Sequence, residues 1–120
     1  MFVRTVSRQD IEAVRQLLVE TWHDTYDAIY GAERVREITD SWHSPAALES
    51  RLDQPNSEFL VADDGAMLGG VVFASFTADD KSVTLHQLYV RPGLQGQGIG
   101  SLLLDEIESS FPDADRLRLE

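Results

Sequence analysis

Apolar positions along this chain recur with two different periods, and the switches between them outline its elements. Phe2 to Val6 is short, apolar and β-branched and predicts a strand; Ser7 to Asp10 then has the form of a capping box, so the strand leads into a helix. Ile11, Val14, Leu17, Leu18 and Trp22 recur at three- and four-residue spacing, which lays one helix face on a core. Thr25 to Ile38, with Tyr26, Ile29, Tyr30 and Val35, predicts a second helical stretch with a break at Gly31. Ser44-Pro45 supplies an N-cap and a first-turn proline for a short helix to about Asp53, with Trp42-His43 at its entry.

Strand signals then take over. Glu58 to Ala62 and Met67 to Thr77 flank Asp63-Asp64-Gly65, a hairpin signal, and the nearly unbroken apolar run Leu68 to Phe76 predicts a strand covered on both faces. A further strand covers about Ser82 to Val90, after the turn Ala78 to Lys81. Ile99 to Ser110 reads as a helix with Leu102, Leu103 and Ile107 inward, ended by Pro112-Asp113, and Arg116 to Leu119 begins another strand. The order strand, helices, three strands, helix, strand predicts an α+β fold with mixed sheet pairing, because the helix after Gly98 makes its flanking strands parallel. No linker, repeat or low-complexity tract divides residues 1 to 120, so one domain is expected.

One strand breaks its own period. Leu85, Leu88 and Val90 are the inward-type residues of the strand Ser82 to Val90, but their spacing is three and then two. A strand alternates by two, so an extra residue near His86-Gln87 predicts a β-bulge.

Leu88 to Leu104 places that strand, a glycine-rich turn and the first turns of a helix in immediate succession. The first N–H groups of a helix have no partner within it, and the helix dipole adds partial positive charge, so the turn is expected to bind an anion such as a phosphate. A P-loop requires G-x-x-x-x-G-K-[ST]; Gly93 and Gly98 have the spacing, but Ile99 stands where the lysine belongs. A dinucleotide fingerprint requires G-x-G-x-x-G, and Ser101 or Leu103 stands where its last glycine belongs.

Composition narrows the function further. With 21 acidic and 10 basic residues the net charge is −11, which repels a phosphate backbone and argues against nucleic-acid binding; it suits a cationic amine substrate or simply a well-solvated surface. The chain has no cysteine, hence no disulfide, thiol nucleophile or Cys-type zinc site, and is compatible with a reducing cytoplasm. No apolar run approaches a membrane span, and a soluble cytoplasmic protein without membrane contact is expected. Three scattered histidines, without H-E-x-x-H or C-x-x-C, indicate no metal site, and no G-x-S-x-G elbow supports a serine hydrolase.

The glycine turn does match [QR]-x-x-G-x-[GA], as Gln95-Gly96-Gln97-Gly98-Ile99-Gly100, preceded by Leu-Tyr-Val-Arg-Pro. In this the chain resembles the GNAT superfamily of N-acetyltransferases, and the order of elements agrees over nearly its whole length. The resemblance implies acetyl-CoA as co-substrate, its pyrophosphate on the loop Gln95, Gly96, Gln97, Gly98, Ile99, Gly100 and Ser101, and pantetheine on the backbone of Leu88, Tyr89 and Val90. It implies direct attack of an amine on the thioester, with a backbone N–H near Leu88 holding the developing oxyanion. The amine belongs to a small molecule or a protein. The bulge is where GNAT proteins splay their central strands.

His86 lies at the bulge, titrates in the range needed to take a proton from an ammonium, and matches a position where some small-amine members carry a catalytic histidine. It is the candidate base, the alternative being a hydrogen-bonded sheet residue beside which water relays the proton. Thr84 stands where other members place a base glutamate. Trp22, Tyr26 and Tyr30 share a helix face, and in the family the first helices wall the acceptor pocket; core packing is the other reading. His23 and Asp24 point about 100° apart on a helix and make no dyad.

GNAT domains usually continue past the strand that starts near Arg116 with a helix and two strands, often carrying a tyrosine general acid. The resemblance therefore implies a missing closing layer, supplied by a longer chain or by a partner, or else lost catalysis. Arg116, Leu117, Arg118 and Leu119 alternate, and an open edge there is expected to invite a homodimer. A non-catalytic acyl-CoA-binding or regulatory module on the same fold is the competing reading, with a ligand-free interaction domain behind it.

Overall fold

In the computed structural model, which describes residues 1–119, a five-stranded sheet in the order β1-β2-β3-β4-β5 separates two helical layers. The strands are β1 (Phe2–Thr5), β2 (Ser57–Asp63), β3 (Leu68–Thr77), β4 (Ser82–Val90) and β5 (Arg116–Leu119). The helices are α1 (Ile11–Tyr30), α2 (Ala32–Trp42), α3 (Pro45–Leu52) and α4 (Ile99–Ser110). The first four strands pair antiparallel, and β5 pairs parallel with β4 because α4 carries the chain back across the sheet. This is the mixed α+β architecture expected from the order of elements.

Each face of the sheet has its own core. Ile11, Val14, Leu17 and Leu18 of α1 and Leu48 of α3 pack with Phe59, Val61, Val71 and Phe73. On the opposite face Ile99, Leu103 and Ile107 of α4 pack with Leu60, Ala62, Val72, Ala74 and Leu85. β3 supplies both, and its first seven residues are buried, as its apolar run predicts. Gly70 sets how closely α4 approaches: a Cβ there would meet Ile99, Leu103 and the Tyr89 carbonyl at 3.0 Å.

Several local expectations hold. Ser7 and Asp10 form the capping box, and the same Asp10 carboxylate takes two bonds from Arg4, at 2.7 and 2.9 Å, which holds its pKa well below the usual carboxylate range. The Ser44 hydroxyl accepts from the Ala47 N–H at 3.1 Å, with Pro45 in the first turn of α3.

Others need correction. The first strand ends at Thr5, one residue early. The first helix does not give way near Thr25; it runs on to Tyr30, because no residue before Gly31 leaves helical conformation, and Gly31 (φ 85°) makes the break. Trp42 closes α2 rather than opening α3, and His43 follows as a buried cap. Leu102 is 36% exposed: the inward stripe of α4 is Ile99, Leu103 and Ile107, at four-residue spacing. No correction is needed at β5, whose four residues, apolar Leu117 and Leu119 included, are exposed.

Candidate functional site

The bulge falls at the expected place. Phe73 pairs with Gln87 and Ala74 with Leu85, so His86 is the inserted residue of β4. Leu85, Leu88 and Val90 thereby stay together on the α4 face, while His86 and Gln87, adjacent in sequence, both reach the α1–α3 face.

The same register sets the direction of the backbone. The Arg91 N–H bonds to the Gly69 carbonyl at 2.8 Å, so the N–H and C=O groups of Val90 and Leu88, out of phase with Arg91, turn away from β3. Among the described residues β5 pairs only with Ser82 to Leu85, and Leu88 and Val90 lie beyond that pairing. A cavity of about 280 Å³ on this side of β4 is lined by Leu85, His86, Gln87, Leu88, Tyr89 and Leu119.

The glycine loop closes the other end of this edge. Gln95 Nε2 reaches the Val90 carbonyl at 3.4 Å, and the chain enters α4 through Gly98, left-handed at φ 84° and ψ 6°. Gly96 is also at positive φ, and among the described residues nothing beyond the adjoining chain lies within 4 Å of a Cβ built at either position. Backbone conformation, together with open space for a ligand, is what requires glycine here. Gly100, already helical, is different: a Cβ there would make only an ordinary 3.8 Å contact with Val90. No side chain caps α4 and no acidic residue stands in its first turn, so Ile99, Gly100 and Ser101 offer their amides, with the positive end of the helix dipole, to an anion. These residues fit a pyrophosphate. The nearest arginine in sequence, Arg91, is engaged by Glu20 and by the Leu68 carbonyl.

A second cavity, of about 340 Å³, lies on the α1–α3 face against the bulge and is lined by Arg51, Gln54, Phe73, His86 and Gln87. The His86 ring lies 5.3 Å from that of Phe73, and its Nε2 shares a 2.7 Å hydrogen bond with the Ser75 hydroxyl. Arg51 donates to Gln87 Oε1 at 2.8 Å and to the Trp42 carbonyl at 3.3 Å, with its guanidinium 5.8 Å from the centre of the Phe73 ring. His86 and Gln87 line both cavities, so the β4 edge and the α1–α3 face meet at the bulge.

Trp22, Tyr26 and Tyr30 form a ladder along α1, with ring centroids 4.6 and 5.9 Å apart, and Trp42 closes on Trp22 edge-on. The ladder reaches the bulge through Tyr89, whose phenol pKa is pushed up by burial. Tyr30 lies farthest out, against a separate cleft with Arg34, Glu37 and Trp42. His23 pairs with Asp27 at 2.7 Å rather than with Asp24. His43, 1% exposed, has neither ring nitrogen hydrogen-bonded among the described residues; burial, then Arg51 and Arg15, lower its pKa to about 4.

Arg51, Ser75 and the side chain of Gln87 escape sequence reasoning. Only Ser75 leaves a trace, as a hydroxyl two positions from Phe73 within the otherwise apolar run Leu68 to Phe76.

Comparison with known proteins agrees with this geometry. A structure of PaiA N-acetyltransferase from Thermoplasma acidophilum in complex with coenzyme A superposes with a TM-score of 0.84 at 25% identity, over 92% of this chain and 71% of that one. A GNAT-family acetyltransferase structure from Staphylococcus aureus gives 0.64 at 20% identity, over 98% of both chains. An aminoglycoside 6'-acetyltransferase type Ii gives 0.63 at 21% identity, over 99% of this chain and 70% of that one; these last two share the fold. The acetyltransferase (GNAT) domain model matches residues 26–120, and the chain belongs to that family.

Proposed function

We propose that this protein transfers an acetyl group from acetyl-CoA to an amine of a small molecule or protein. The observation that carries the proposal is the meeting of two cavities at His86 and Gln87. One is bordered by outward-facing backbone of β4 that continues into an uncapped helix start, and the other by polar side chains on the opposite layer. Acetyl-CoA supplies the activated acyl group as a thioester. Backbone amides of Gln97 to Ser101 hold its pyrophosphate, and Leu88, Tyr89 and Val90 pair with pantetheine along the open edge. The Leu88 N–H faces the oxygen on which negative charge develops.

The acceptor enters from the α1–α3 side, where Trp22 and Tyr26 support the wall behind Tyr89 and Tyr30 marks its outer end. An amine attacks only after losing its proton, and His86 takes that proton directly or through a water it orients. Ser75 holds the imidazole in place. A non-catalytic acyl-CoA-binding module has one observation in its favour, the commitment of His86 Nε2 to Ser75. Turnover separates the two. Acetyl-CoA incubated with a panel of amines, with free thiol followed, should show acceptor-dependent release; CoA binding without release by any acceptor would favour the module.

The exposed Leu117 and Leu119 of β5 support pairing of this edge with a second copy. Light scattering should show a dimer that Leu119→Lys weakens, and a strict monomer at high concentration would remove this part of the proposal.

A further inference from the structure

The protein carries a net charge of −11, yet among the described residues no carboxylate lines the 340 Å³ cavity at the bulge. The one permanent charge among its described lining residues is Arg51. This guanidinium is half-buried, burial lowers its pKa, and among the described residues no Asp or Glu contacts it. Arg4, Arg8, Arg15, Arg34, Arg91 and Arg118 all reach a carboxylate, and Arg36 and Arg116, which do not among the described residues, are exposed, so Arg51 alone of the described arginines is half-buried without one. A guanidinium has five N–H donors, and the bonds to Gln87 and the Trp42 carbonyl use two. The Gln87 amide oxygen is turned to Arg51, which leaves its NH₂ to donate elsewhere. Neighbouring His43 stays neutral in its buried position and adds no second cation.

A half-buried charge that has neutral hydrogen-bond partners but no counter-ion is still costly, and one that lines a cavity beside neutral donors is satisfied by an incoming anion. Resting on the acetyl-transfer reading above, we infer that the acceptor is an amine that also carries a carboxylate, held by Arg51 and the Gln87 amide while its amino group lies at His86. A carboxylate suits the site better than a phosphate, because a single guanidinium, with a planar fork of donors, balances one negative charge. Arg51 is thus a specificity-determining residue within the small-molecule class of acceptors.

The experiment compares amino acids with the corresponding amino-acid amides, which keep the amine and lose the anion. Two readouts are taken with each pair: thermal stabilisation of the CoA-saturated protein, and free thiol release from acetyl-CoA. At least one acid should stabilise the protein where its amide does not and should exceed the amide at least tenfold in kcat/KM. Arg51→Gln should bring the two within about threefold, mainly by raising KM for the acid, and Arg51→Lys should keep part of the preference. CoA affinity, followed by calorimetry, should be unchanged in both variants.

Acid-selective stabilisation without thiol release would uphold the anion site and refute acetyl transfer. Thiol release with amides equal to or better than acids would uphold transfer and overturn this inference, as would the absence of any acid-selective effect in both readouts. The comparison within wild type decides the matter even if Arg51→Gln does not fold.

Discussion

Along the open edge of β4 and the start of α4, the groups offered to a ligand are backbone amides, from Leu88 and Val90 and from the turn after Gly96. On the α1–α3 face they are side chains, from Arg51, Ser75, His86 and Gln87. The backbone half depends on conformation, so it is built by glycines and by the bulge and is indifferent to most side chains near it. The side-chain half depends on which residues the fold brings together, so it can change what it recognises without disturbing the first. A division of this kind suits an enzyme with one constant and one variable substrate.

The division can be broken from either side. The largest expected effect is at His86: His86→Ala should lower kcat/KM near neutral pH by about 10²–10⁴, the range for loss of a general base, with partial recovery in more basic solution as free amine accumulates. Acetyl-CoA affinity should not change. An unaltered pH–rate profile in His86→Ala would take His86 out of the mechanism.

Gly98→Asp should do the reverse. A side chain and a negative charge at the left-handed entry to α4 should weaken acetyl-CoA binding at least about tenfold, or about 1.4 kcal/mol, read by calorimetry on the folded variant. Gly100→Ala is the control within the same motif: its Cβ meets no protein atom closer than 3.8 Å, so stability should hold, and any loss of affinity reports contact with the ligand itself.

Ser75→Ala sharpens the side-chain half. Removing the 2.7 Å bond to His86 Nε2 should cost about three- to tenfold in kcat, the equivalent of a hydrogen bond of ~1 kcal/mol, and should shift the pH–rate profile. A change in KM alone would assign Ser75 to acceptor binding instead.

The last effect concerns stability and leaves both halves of the site untouched. His43 is held neutral in the fold, with a pKa lowered from 6.5 to about 4, so between these values the unfolded chain binds more protons than the native one. Its contribution is therefore complete above pH 6.5 and is lost as pH falls toward 4, with a slope of at most about 1.4 kcal/mol per pH unit. In denaturant melts over that range, wild type should lose stability relative to His43→Leu as pH falls, whichever of the two is the more stable at neutral pH. Parallel profiles would show that His43 is not the titrating group. Protonation of the tightly bonded Asp10 acts only at still lower pH.

The same division explains which half of the site is legible in the amino-acid sequence. The loop, the helix start and the bulge all lie within Leu85 to Ser101, and each follows from local rules: glycine spacing, an uncapped helix entry, and a three-then-two spacing of Leu85, Leu88 and Val90 that a regular strand forbids. The cavity on the α1–α3 face assembles residues from α3, β3 and β4, and nothing in the periodicity of α3 says that Arg51 turns toward Gln87 rather than to solvent. The aromatic ladder of Trp22, Tyr26 and Tyr30 is visible in sequence as a helix face, but its link to the bulge runs through Tyr89 and is a matter of tertiary packing. The boundary between α1 and α2 is obscured for a local reason: helical periodicity continues through Thr25 without a cap or breaker, and only Gly31 interrupts it.

Amide NMR on the isotopically labelled protein, titrated first with acetyl-CoA, tests the central claim most directly. The amides of Leu88 and Val90 and of Gly96 to Ser101 should move together and saturably, while the Arg51 side-chain resonances stay in place until an acceptor is added. Shifts centred on Arg51, Ser75 and Gln54, with the glycine loop unmoved, would contradict the assignment of acetyl-CoA to the backbone half of the site.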